Sequence, residues 1–173
     1  NNIGMMAFRA GDMAKAEQMF NKSNSVKANP EANMNLGLIA LTKGDQAKAQ
    51  QLFGSASGVA ELSEALGVLY LEQGEWAKAA NSFGSVKSNN AALAQILTKD
   101  YSKASQTLNA VARPDATTSY LKAIVAARTN DANGVISNLK AAIAADKSMA
   151  KEAAIDLEFA KYATNSEFAS LVK

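Results

Sequence analysis

The chain has 173 residues, a formal net charge of +2, 48% hydrophobic and 20% charged residues, and neither cysteine nor histidine. Such a length can bury a real core within one ordinary domain, while the missing residue types remove disulfides, thiolate chemistry, the commonest general base and the commonest metal ligand. The small charge argues against a nucleic-acid binder, and no run approaches the roughly 18 uninterrupted apolar residues that a membrane helix needs.

Alanine fills 36 positions and proline only two. Alanine loses almost no side-chain entropy in a helix, so the expected fold class is all-α. In chain order, the stretch IGMMAFRAGDMAKAEQMF (Ile3 to Phe20) comes first. LGLIALTKGDQAKAQQLF (Leu36 to Phe53) and LGVLYLEQGEWAKAANSF (Leu66 to Phe83) then repeat it. An acidic residue serves as a ruler: Asp12, Asp45, Glu75, Asp100 and Asp131, each following Gly11, Gly44, Gly74, Lys99 or Asn130. Eight residues before it stands a very small residue (Gly4, Gly37, Gly67, Ala92, Ala123). Four after it stands a small apolar one (Ala16, Ala49, Ala79, Ala104, Val135), and eight after it a bulky one (Phe20, Phe53, Phe83, Leu108, Leu139).

Spacings of four and eight put these positions on one helical stripe. Each repeat is therefore expected to be helix A, a tight turn ended by a left-handed glycine, and helix B capped by the acidic residue. One such hairpin cannot bury its apolar face alone, so hairpins stack. The expected helix pairs are 1–10 with 12–25, 31–43 with 45–57, 59–73 with 75–86, 89–98 with 100–112, and 115–129 with 131–145. The fourth helix A is expected to be a turn or more short, because Glu75 and Asp100 are only 25 residues apart. Gly134 costs helix B of the fifth hairpin up to about 1 kcal/mol. The first helix A lacks its opening turn, which leads to the expectation that this turn was encoded upstream. Residues 148–163 are expected to form one long helix and 166–172 a short one. Together, 148–173 would cap the repeats of 1–147, with Lys151, Glu152, Asp156, Glu158 and Lys161 on a solvated face.

Nothing in the motifs points to catalysis. No Gly-x-Ser-x-Gly elbow and no glycine-rich phosphate loop occurs, and the recurring Lys15, Lys48, Lys78 and Lys103 read as the solvated face of successive B helices. The expectation is no enzyme, no metal and no cofactor.

The small, Gly, Tyr70, Ala, Phe pattern resembles the tetratricopeptide repeat family, most specifically over residues 1 to about 86. The resemblance implies a right-handed superhelical solenoid of about six hairpins whose A helices line a concave partner-binding groove. Its groove positions fall here on Asn1, Met5, Phe8 and Arg9, then on Met34, Leu38, Leu41 and Thr42, then on Glu64, Val68, Leu71 and Glu72. Leu93 and Ile96 follow, and finally Tyr120, Ile124 and Arg128. Asn35 matches one position of the carboxylate clamp that some members carry. Its companions Asn1, Met5, Glu61 and Ala65 are not the expected cations and asparagines, which argues against a clamp here. For so apolar a face, two alternatives stand: a peptide or protein partner anchored by apolar side chains and flexible methionines, or a face filled by the chain's own helices. The first makes the chain an interaction scaffold, the second a structural spacer of a larger envelope protein. GDMAKAEQMFNKS and DLEFAKY are similar to wording in such repeat proteins of bacterial cell envelopes, which implies the envelope or periplasm, with the cytoplasm as alternative.

Overall fold

The structure, a computed structural model, describes residues 2–59 and 61–173. Among the described residues it is all-helical, with twelve α-helices and one 3-10 helix and no strand. The helices are α1 (Asn2–Arg9), α2 (Met13–Val26), α3 (Pro30–Thr42), α4 (Gln46–Ser55), α5 (Leu62–Glu72) and α6 (Trp76–Phe83). They continue with α7 (Asn89–Leu97), α8 (Tyr101–Asn109), α9 (Ala116–Arg128), α10 (Ala132–Ala145), α11 (Met149–Ile155), the 3-10 helix Leu157–Tyr162, and α12 (Ser166–Leu171). No described helix is long and apolar enough to cross a membrane. The chain divides into two compact units, Asn1–Leu69 and Tyr70–Lys173.

One device builds every A-to-B turn. The residue before the acidic ruler takes a positive φ each time: 78° at Gly11, 81° at Gly44, 76° at Gly74, 64° at Lys99 and 62° at Asn130. The next amide then reaches back five residues, from Asp12 to the Ala7 carbonyl (2.9 Å), Asp45 to Ala40 (2.9 Å), Glu75 to Tyr70 (2.8 Å), Asp100 to Gln95 (2.8 Å) and Asp131 to Ala126 (2.8 Å). This is the Schellman closure, which satisfies carbonyls that the end of helix A would otherwise leave unpaired. The same acidic residue begins helix B. Asp12, Asp45, Asp100 and Asp131 accept from the amides of Lys15, Lys48, Lys103 and Gly134 at 2.9–3.1 Å. Glu75 makes no such bond; it is one methylene longer, and its carboxylate pairs with Lys78 at 3.0 Å instead. Gly134 lies directly under its cap, where a Cβ would sit 2.3 Å from Asp131 Oδ2.

The small and bulky positions make the core. Ala16, Ala49, Ala79, Ala104 and Val135 have no exposed surface at all, and Phe20, Phe83, Leu108 and Leu139 have 1% or less. In the first unit Phe20 reaches the next hairpin, clustering with Ala32, Leu36 and Ile39 of α3. Phe53 instead covers its own hairpin: a Cβ on Gly37 would lie 2.5 Å from Phe53 Cε1, so the ring occupies the space a side chain would need. In the second unit, α7 has nine residues against thirteen in α9, a deficit of about one turn. Asp115 caps α9 reciprocally with Thr118. Asn89 at the start of α7 joins them, donating to Asp115 Oδ1 (3.1 Å) and accepting from Thr118 Oγ1 (2.9 Å). The Thr118 amide holds the Asp115 carboxyl below the usual carboxylate range.

The C-terminal stretch departs from the expected single helix 148–163. The helix stops at Ile155, Asp156 turns extended (φ −74°, ψ 122°), and a 3-10 helix follows. Asp156 causes the break by capping: its Oδ1 accepts from the Glu158 amide at 2.9 Å, a bond that only a non-helical residue makes. Breaking there turns Phe159 and Tyr162 inward, 1% and 7% exposed, against Ala123, Val135, Leu139 and Phe168.

Candidate interaction surface

The candidate residues divide between the two units. Asn1 lies outside the described residues. In the first unit Met5 and Phe8 are half-buried and pack, with Met13 and Leu52, on the cluster of Ala7, Ala16 and Leu36, while Arg9 is exposed. Met34 and Leu38 are buried, at 8% and 7% exposure, because α3 is enclosed nearly all round. Asn35 is buried too, and its Nδ2 donates to the Glu31 carbonyl of its own helix at 2.9 Å. Leu41 and Val68 are half-buried, and Thr42 and Glu64 exposed. The accessible part of this face therefore consists of Arg9, Thr42 and Glu64, which are exposed, and of Met5, Phe8, Leu41 and Val68, each presenting a fraction of its surface.

In the second unit Leu71 and Leu93 are half-buried, Glu72 is exposed, and Ile96 is 1% exposed. Tyr120, Ile124 and Arg128 share one face of α9, at spacings of four, and the chain's own C-terminal segment lies on it. Tyr120 Oη donates to Asp156 Oδ2 at 2.8 Å, and its ring meets Phe159 edge-on with centroids 5.6 Å apart. Burial, aided by Asp156, pushes the Tyr120 hydroxyl well above its ordinary pKa. Arg128 Nε donates to Glu158 Oε2 at 2.9 Å and Nη2 donates to Oε1, a two-pronged pair that holds the guanidinium firmly charged. Lys161 Nζ donates to the Ala127 carbonyl (2.8 Å) and to Asn130 Oδ1 (2.6 Å) at the end of the same helix. Ile124 packs against two of the buried clusters of this unit.

Asp156, Glu158 and Lys161 are therefore not a purely solvated face: both acids are half-buried and turned onto α9, and Lys161, though exposed, is tied to it. Glu152 and Lys151 are exposed. The signal that marks the segment is Asp-Leu-Glu-Phe itself, an acidic cap with a second acid in the first turn, where a new helical start is as natural as continuation.

No protein-family model matches the chain, and no curated protein matches it.

Proposed function

We propose that this chain is a tetratricopeptide-type solenoid acting as a protein–protein interaction scaffold, with no chemistry of its own. The observation that carries the proposal is the fivefold recurrence of one junction, a positive-φ residue followed by an acidic residue whose amide closes the helix end, with a fully buried small residue on each following helix. Such hairpins have value as repeats because stacking them buries a continuous core while leaving a face for partners. The partner is another protein or peptide, and its apolar contacts are Met5, Phe8, Leu41 and Val68 in the first unit and Leu71 and Leu93 in the second, with Arg9 at the rim. The envelope is the compartment we propose, on the family resemblance alone.

One observation favours a second reading, the structural spacer. Met34, Leu38 and Ile96 are enclosed, and the face of α9 is taken by residues 156–162. Two truncations separate the readings. Under the scaffold reading, Phe8→Ala and Leu41→Ala each weaken capture of a partner from the native cell by at least about tenfold with little change in melting. Loss of stability with no partner captured would establish the spacer instead.

A further inference from the structure

The first hairpin leaves bare a surface that the others keep covered. Met6 stands six residues before its cap and is 70% exposed; its counterparts Ile39, Leu69, Ala94 and Val125 are 1%, 8%, 0% and 6% exposed. Ile3, nine before the cap, is 60% exposed, whereas Leu36 is 4% and Ala91 0% exposed, and Leu66 and Lys122 are half-buried. Where the cover is visible it is helix B of the preceding hairpin. Ala16 and Phe20 of α2 cluster with Leu36 and Ile39 of α3, and Ala104 and Leu108 of α8 cluster with Leu121 and Val125 of α9. One acid makes ion pairs across this contact. Glu17 on α2, next to Ala16, bridges Lys43 (2.5 Å) and Lys48 (3.4 Å) of the second hairpin. Lys15 is the counterpart of Lys48 and is exposed; like Lys103 of the fourth hairpin, it has no acidic partner among the described residues. Beside Ile3 the surface continues into an open depression of about 800 Å³, where Gly4, Met19 and Val26 add apolar lining. A second folded copy has no free helix of the covering kind, because Ala16, Ala49, Ala79, Ala104 and Val135 are all fully buried.

We propose that the exposed face of α1, centred on Ile3 and Met6, is a docking surface for an amphipathic helix supplied from outside these residues. That helix carries a small residue and a large apolar one four positions apart, with an acid directly after the small one to meet Lys15. The inference rests on the hairpin-stacking part of the reading above and not on the inner face. Failure to capture an inner-face partner leaves it standing, and its own failure leaves that partner untouched.

The probe is a labelled peptide of residues 11–33, which bears Ala16, Glu17 and Phe20, titrated into the full 173-residue chain. Saturable binding is expected, weakened at least about tenfold by Ile3→Asp with Met6→Asp. Lys15→Glu weakens it several-fold, and a peptide bearing Glu17→Lys restores it. Because a short peptide spends binding energy on becoming helical, a second format fuses residues 11–33 ahead of Asn1, the register set by the 33-residue step from Asp12 to Asp45. There the melting temperature is expected to rise by about 5 °C, and Met6→Asp, neutral in the parent, to cancel the rise. Binding indifferent to Ile3 and Met6, or no effect in either format, overturns the proposal. So does self-association of the chain that the two aspartates abolish, since it would assign the face to a second copy.

Discussion

α1 and α3 follow the same register and end in the same left-handed turn, yet one is half bare and the other enclosed. Ala7 and Ala40 receive the same back-bond, and Gly4 and Gly37 are both buried. Ile3 and Met6 nevertheless face solvent, where Leu36 and Ile39 do not. The apolar stripe is a property of the helix, but its burial is a property of the neighbour. α3 has α2 laid across it; among the described residues α1 has no equivalent. The last hairpin solves the same problem by other means: α9 and α10 are covered by α11, the 3-10 helix and α12, a segment that does not follow the repeat.

The sharpest way to break the comparison is at that borrowed cover. Phe159 is 1% exposed, seated between Tyr120 and Phe168. Phe159→Ala is expected to cost about 3–5 kcal/mol, a large share of an ordinary domain's stability. A denaturant melt checks it; a loss below about 1 kcal/mol would mean that the segment rests on α9 without holding it. Next comes the enclosed member of the pair. Ile39→Ala removes a side chain 1% exposed, packed among Ala16, Phe20 and Ala32, and is expected to cost about 2–5 kcal/mol in the same measurement.

Smaller effects sharpen the comparison between turns. Gly44 and Lys99 hold the same position with φ of 81° and 64°, but only lysine has a Cβ to crowd the following carbonyl. Lys99→Gly is expected to raise stability by about 0.5–1 kcal/mol, seen as a later thermal midpoint, since relief of the crowding exceeds the added freedom of the unfolded chain. The link from α2 to the second hairpin titrates. Lys43, then Lys48, hold the Glu17 carboxyl below its ordinary pKa. A depressed folded value contributes stability that is present above the unfolded pKa of roughly 4.3 and lost as pH falls through the lower folded value. Partial exposure limits the pair to about 0.2–1 kcal/mol. Glu17→Gln should therefore flatten the fall in melting midpoint below about pH 4.5 and leave the neutral-pH limb nearly parallel.

The junctions are legible in sequence because each is local: a residue able to take positive φ, followed by a short acid, specifies a helix end and a helix start within two positions. Lys99 is legible only through register, since lysine announces no left-handed turn, whereas Asn130 is of a type that takes positive φ readily. The break at Asp156 is only half legible: the acid can cap a new start, but the alanine-rich residues before it favour continuing the helix, and the contacts of Asp156 and Glu158 with Tyr120 and Arg128, on a helix about thirty residues earlier, are not local. The candidate face suffered from the same limit. Periodicity puts Met34 and Leu38 on one stripe with Leu41, but only packing distinguishes the two buried residues from the half-buried one.

The smallest expected effect is the most informative about the bare face. Met6 occupies the register position of Ile39, and a reading from the repeat alone would assign Met6→Ala the same penalty. With 70% of Met6 exposed, little apolar surface leaves water on folding and no cavity can form. Met6→Ala is therefore expected to move the denaturant midpoint by no more than about 0.5 kcal/mol in either direction, against several for Ile39→Ala. The two variants differ in sequence position by one repeat step and in nothing else that periodicity records, so their difference measures what the neighbouring helix adds. A cost for Met6→Ala approaching that of Ile39→Ala would mean that α1 is already covered in solution, and the melt should then be repeated across protein concentrations to find whether the cover is another molecule of the same chain.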